Sequence, residues 1–147
     1  MATLGSYLTQ SASVRPSVQG AIDSVQTCSE PPSSGEATIQ QAIDTRQRIL
    51  SGLQTLSPAT LPHGAQLISE LSAAMQNSVT ADQDYQGWME DSGGSGGGCA
   101  TNSAQDSNYQ AAQNASGQAT AAKGDFLNIW NPMAPGYGQK TYTNSDF

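Results

Sequence analysis

An all-α fold is predicted, an up-down-up-down four-helix bundle with an irregular C-terminal tail and one disulfide. Three observations carry it. Apolar residues recur every three or four positions through four separate stretches of the 147-residue chain, the signature of helices with one buried face. Connections between the stretches are short, which favours antiparallel neighbours. No run of β-branched residues alternates with polar ones anywhere in the sequence.

The stretch at 61–91 organises the rest. Its stripe runs through Gly64 or Ala65, Ile68, Leu71, Met75, Ser78 or Val79, Asp82, Tyr85 and Met89. Only Gly64, Ser78 and Asp82 are weak members, and the remaining helices are needed to cover it. A first helix is expected over 4–28, on Leu4, Leu8, Ser11, Arg15, Val18, Ile22 and Val25. Arg15 interrupts that stripe. Pro16 removes an N–H and clashes one turn back, so a kink or short break is expected near 12–15.

Glu30-Pro31-Pro32-Ser33-Ser34-Gly35 reads as a turn, and a second helix is expected over 36–56. Its stripe is Ile39, Ile43, Arg46, Leu50 and Leu53, widened by Ala42, Ile49 and Leu56. A Ser57-Pro58 to Pro62 connection leads into the long helix. Ser92 to Gly98 is a flexible linker by composition. It does not read as a phosphate cradle, because no strand precedes it and no Lys-Ser or Lys-Thr pair follows. A fourth helix is expected over 102–130, with an alanine-rich face that includes Ala112, Ala115, Ala119 and Ala122. Asn131-Pro132 is expected to stop it. The tail, 131–147, is read as irregular, with its aromatic residues packed on the bundle end. The whole chain, 1–147, is one domain.

Composition excludes several functions. Net charge is −7, and the five cations, Arg15, Arg46, Arg48, Lys123 and Lys140, form no run. Nucleic acid and anionic membrane surfaces require clustered cations, so neither is expected as a partner. No stretch has the length of a membrane span, so this segment is not expected to insert into a membrane. The start of the chain carries no basic, apolar signal pattern. Either the protein is cytoplasmic, or an export or anchor segment is expected to lie outside this sequence, and the cysteines help to choose between the two.

Cys28 ends the first helix and Cys99 precedes the fourth. In an up-down-up-down bundle these positions share one end, so a Cys28–Cys99 bond is expected. Closing that loop stabilises by roughly 4 kcal/mol in the chain-entropy account, and such bonds persist in oxidising compartments. Zinc would require further ligands, and no metal or cofactor is expected. No Cys-x-x-Cys spacing suggests redox chemistry.

The segments Ala81-Asp82-Gln83-Asp84-Tyr85-Gln86-Gly87-Trp88, Cys99, Lys123-Gly124-Asp125-Phe126 and Trp130-Asn131-Pro132-Met133-Ala134 resemble those of extracytoplasmic helical domains in actinobacterial membrane-anchored or lipoprotein-type proteins. Those domains carry a similar Ala-Asp-x-x-Tyr-x-x-Trp run, a cysteine, a Lys-x-x-Phe and a Trp-Asn-Pro turn. The resemblance implies secretion or surface attachment, a helical bundle and a disulfide; it implies no biochemical activity.

Candidate chemistry is sparse. Asp82 and Asp84 stand two apart and point in different directions on a helix, which argues against an acid–base pair. Asp82 is turned inward by the stripe, with either the neighbours of Tyr85 or Lys123 across the bundle as its expected partner. His63 has no nucleophile motif beside it and is read as the start of the long helix. Tyr85 and Trp88 are expected at one end, Phe126 and Trp130 at the other, so the four cannot line one pocket. The expected function is a non-enzymatic, secreted or cell-surface module for interaction or sensing, with an unidentified protein or small-molecule partner. The alternative is a small-molecule-binding protein with a cleft between helices, for which Asp82, Tyr85 and Trp88 are the candidate contacts. A hydrolase using Asp82 and Asp84 is a weaker third.

Overall fold

The computed structural model describes residues 1–94 and 103–147. Among these there are four α-helices and no strand: α1 (Ala2–Gln26), α2 (Pro32–Gln54), α3 (Gly64–Gly94) and α4 (Ser107–Met133). Short 3-10 turns lie at Pro58–Thr60, Ser103–Gln105 and Ala134–Tyr137. No described helix is long and apolar enough to cross a membrane. The order of packing is α1 on α2, α2 on α3, and α3 on α4.

Paired positions show the direction of each helix. A Cβ on Gly35, near the start of α2, would meet Val25 from the end of α1, while one on Gly52 would meet Tyr7. Gln86 of α3 donates to the Glu36 carbonyl, and Gln113 of α4 donates to the Tyr85 hydroxyl. Sequence numbers rise on one helix as they fall on the next, so successive helices run antiparallel. Gly35 permits the close approach at its end: an added Cβ would lie 2.7 Å from both Met89 Sδ and Val25 Cγ2.

The expected boundaries shift at the prolines. The predicted break near 12–15 is absent, since α1 runs through Pro16. Pro16 itself is exposed, while Ser11 before it and Val18 after it are buried. Burial on both sides holds the helix against the cost of one proline, about 3 kcal/mol. The turn expected to last to Gly35 ends four residues sooner. Pro31 is the N-cap, with an extended backbone, and Pro32 takes the first helical position. There its fixed φ is already helical and its missing N–H is one that a helix start leaves unbonded. Likewise α4 passes Pro132 and ends at Met133. Its start at Ser107, five residues after the expected one, is set by Asp106, whose side chain accepts from the Tyr109 amide.

Buried apolar residues form two groups. One holds Leu4, Leu8, Ile49, Leu53, Leu67, Leu71, Met75, Phe126, Trp130, Tyr142 and Phe147. The other holds Val18, Ile22, Val25, Ile39, Ile43, Val79, Tyr85, Trp88, Met89 and Ala112. The aromatic residues thus divide between the two ends as the helix directions require. The tail reaches back along the first group. Trp130 Nε1 donates to the Lys140 carbonyl, and Asn131 makes two bonds to the Tyr142 backbone. The Tyr142 hydroxyl lies 3.1 Å from Thr9 Oγ1, and Arg15 Nη1 donates to the carbonyls of Asn144 and Phe147.

Candidate functional site

The tail covers only part of the seam between α1 and α4. Past Arg15 that seam opens into a cleft of about 240 Å³. Its α1 wall is Arg15, Val18, Gln19, Ile22 and Gln26, spaced to share one helical face. The α4 wall carries Tyr109, Gln113, Ser116, Ala119, Thr120 and Lys123. Ser78, Ala81, Asp82 and Tyr85 of α3, with Arg46 of α2, complete it. The two ends are bounded differently. At one, Gln26 Nε2 donates to the Tyr109 hydroxyl at 2.8 Å and to Ser103 Oγ at 3.2 Å. At the other, Arg15 holds Phe147, over whose ring Lys123 Nζ sits at 5.5 Å.

Charge in the cleft runs against the charge of the chain. Three of the five cationic residues line it, against the single carboxylate of Asp82. Arg46 Nη1 donates to Asp82 Oδ2, and both side chains are almost fully buried. Arg46 Nε has no hydrogen-bond partner, nor does Ser11 Oγ. A buried donor without a partner costs about 1–3 kcal/mol, more when charged. Burial pushes the Asp82 carboxyl up to about 6, with the Arg46 guanidinium opposing and Lys123 helping less. Burial also pushes Lys123 down to about 7; Arg15 and Arg46 add to that, and Asp82 opposes it. Tyr85 is raised, chiefly by burial.

Of the residues singled out by sequence, Asp82 and Tyr85 line the cleft and Trp88 does not. Trp88 lies in the core, 1% exposed, with its ring edge-on to Tyr109 at 5.1 Å. Neither expected partner of Asp82, a neighbour of Tyr85 or Lys123, makes its direct ion pair, which is with Arg46. Asp84 and His63 are not among the lining residues. Cys28 lies just beyond α1 with φ 63°, and Cys99 falls outside the described residues. No group of three or more His, Cys, Asp or Glu could hold a metal ion among the described residues.

Sequence reasoning passed over Arg46, Lys123, Gln26, Tyr109 and Gln113 as site residues. The first two carried a signal. Arg46 occupies a stripe position and Lys123 flanks one, and a cation on a buried face requires either a partner or a cavity.

Fold and site together define an all-α bundle with a polar, cation-rich cleft in one seam. The chain matches no protein-family model, no curated protein and no solved structure.

Proposed function

We propose that this chain is a non-enzymatic, extracytoplasmic binding module whose cleft between α1 and α4 receives a small molecule. One observation carries the reading. Side chains from all four helices converge on a concavity in the part of the α1–α4 seam that the tail leaves uncovered, and polar groups converging on a concavity are the usual mark of a ligand site. A volume of about 240 Å³ is below the ~300–1,000 Å³ of drug-sized pockets, which favours a metabolite of few atoms. A protein partner has less support. Among the described residues Tyr137 is the exposed large hydrophobic, too little for an apolar docking face.

The absence of enzymatic activity is part of the proposal. Asp82 faces a guanidinium rather than a second acid or a nucleophile, so the geometry supplies charge and not an acid–base pair. The extracytoplasmic placement rests on the resemblance to actinobacterial surface domains and on a proposed Cys28–Cys99 bond. Supporting that bond, Gln26, two residues before Cys28, is hydrogen-bonded to Ser103, four residues after Cys99. Intact mass after alkylation, with and without reductant, should show two alkyl groups added only after reduction.

The binding reading is tested by thermal melting against sugars, amino acids, organic acids and metal salts at millimolar concentration. A ligand at one hundred times its Kd stabilises by about 2.7 kcal/mol. At least one compound should raise the midpoint by several degrees. A panel in which every midpoint stays put removes the proposal.

A further inference from the structure

We propose that the ligand of this cleft is a small organic carboxylate, with its anionic group held between Arg46 and Lys123. This rests on the cleft being a binding site and adds the chemical class of what fills it. The first ground is charge. Arg15, Arg46 and Lys123 line the concavity together with the one carboxylate of Asp82, three formal cations to one anion in a chain whose net charge is −7. Chance placement on an acidic chain would not gather its few cations around one concavity.

The second ground is an unmet donor. Arg46 is 4% exposed and gives Nη1 to Asp82, while its Nε–H has no partner. Lys123 is 5% exposed, and its Nζ lies over the face of Phe147, 5.5 Å from the ring centroid. Buried cationic donors of this kind are satisfied by an acceptor that carries charge. The same burial that makes Lys123 easier to deprotonate would be reversed by an anion beside it.

The third ground separates an organic anion from an inorganic one. Val18 and Ile22 on one wall and Ala119 on the other offer apolar surface within the same concavity. An ion such as phosphate leaves that surface wet. A carboxylate on a short carbon skeleton covers it. The amide nitrogens of Gln19 and Gln113 already donate to Asp23 and the Tyr85 hydroxyl, which leaves their amide oxygens to accept from a hydroxyl or amino substituent.

The test titrates isotopically labelled full-length chain with acetate, lactate, succinate and glutamate. Acetamide, lactamide and inorganic phosphate are titrated in parallel, and amide and indole resonances are followed by NMR. At least one carboxylate should shift the resonances of 109–123 and the Trp88 indole saturably. Its amide, where tested, and phosphate should bind at least tenfold more weakly. Lys123→Met should weaken that carboxylate at least tenfold, whereas Lys140→Met, outside the cleft, should leave the affinity unchanged. If Lys123→Met does not melt cooperatively, the acid-against-amide comparison on the unaltered chain decides alone. Equal binding of acid and amide, or preference for phosphate, would overturn the carboxylate and leave the cleft a binding site. No saturable shift from any compound would overturn both.

Discussion

The seam between α1 and α4 is closed over half its length and open over the other half. In the closed half the tail lies in the seam. Gln139 sits against Gly5, Tyr142 reaches Thr9, and Phe147 packs on Phe126 at 6.2 Å between ring centroids. In the open half the facing residues include Gln19, Gln26, Gln113 and Lys123, and no described segment of the chain enters. Both halves belong to the same two helices with the same antiparallel geometry. What differs is what fills the seam: Tyr142 and Phe147 of the tail join the core in one half, and a concavity of mixed polar and apolar lining stays in the other. Binding capacity and core stability are therefore expected to separate along the molecule.

The largest effect is expected in the closed half. Phe126 is fully buried and touches both Trp130, stacked at 5.6 Å, and Phe147. Phe126→Ala should destabilise by about 3–5 kcal/mol, the range for emptying an aromatic site. Urea denaturation followed by circular dichroism measures it. A loss below 1 kcal/mol would mean that the tail does not consolidate this half.

In the open half the matching change is Asp82→Ala, which strands the buried Arg46. We expect a loss of about 3 kcal/mol, the low end for breaking a buried pair, because the cleft admits water to the freed guanidinium. The paired replacement Arg46→Met with Asp82→Leu should recover most of that stability. The contrast is sharpest if the double variant melts near the unaltered chain yet has lost ligand affinity. A double variant as unstable as Asp82→Ala would show that the pair acts in folding rather than in the site.

A third effect follows pH. Lys123 is pushed down to about 7 by burial, so the folded chain binds less proton than the unfolded one between about 7 and 10.5. Stability contributed through Lys123 is full above 10.5 and is lost as pH falls through about 7. Asp82 is pushed up to about 6, so its contribution is full below 3.8 and is lost as pH rises through about 6. Both groups are charged and buried together near pH 6–7, where a shallow minimum in stability is expected. Arg15 from α1, Arg46 from α2, Asp82 and Tyr85 from α3, and Tyr109 from α4 share this environment. Relative to Lys123→Met, the unaltered chain should gain up to about 1 kcal/mol per pH unit above pH 7. Parallel curves for the two proteins would exclude the effect.

The open half was the harder to read from sequence. Helix number and the inward turn of Asp82 were legible because a three-four spacing of large apolar residues admits one reading over twenty or more positions. The separation of Tyr85 and Trp88 from Phe126 and Trp130 followed from helix direction alone. Proline limits were misjudged because Pro16, Pro32 and Pro132 lie in helices whose neighbouring residues are well packed or at a permitted first position. The cleft was not legible. Its walls combine residues from four helices, and Gln26 and Gln113 are indistinguishable in sequence from the many glutamines of a weakly charged surface. Ala119 is also ambiguous, since an alanine face permits close approach on one side and leaves room on another.

The smallest expected effect marks the far boundary of the open half. Gln26 reaches from the end of α1 to the Tyr109 hydroxyl in the first turn of α4 and to Ser103 Oγ in the 3-10 turn before it. These bonds are partly wet, so Gln26→Ala should cost about 1 kcal/mol. Tyr109→Phe keeps the ring packed against Tyr85 at 5.6 Å and removes only the hydroxyl, so it should cost about as much. A double-mutant cycle between the two isolates their shared bond, with an expected coupling of about 0.5–1 kcal/mol. The tail bond from Tyr142 to Thr9, tested by Tyr142→Phe and Thr9→Val, supplies the comparison across the seam. If Gln26 and Tyr109 prove additive while Thr9 and Tyr142 couple, the open half has no strap at its end. The cleft would then run out to solvent, bounded only by Arg15 and Phe147.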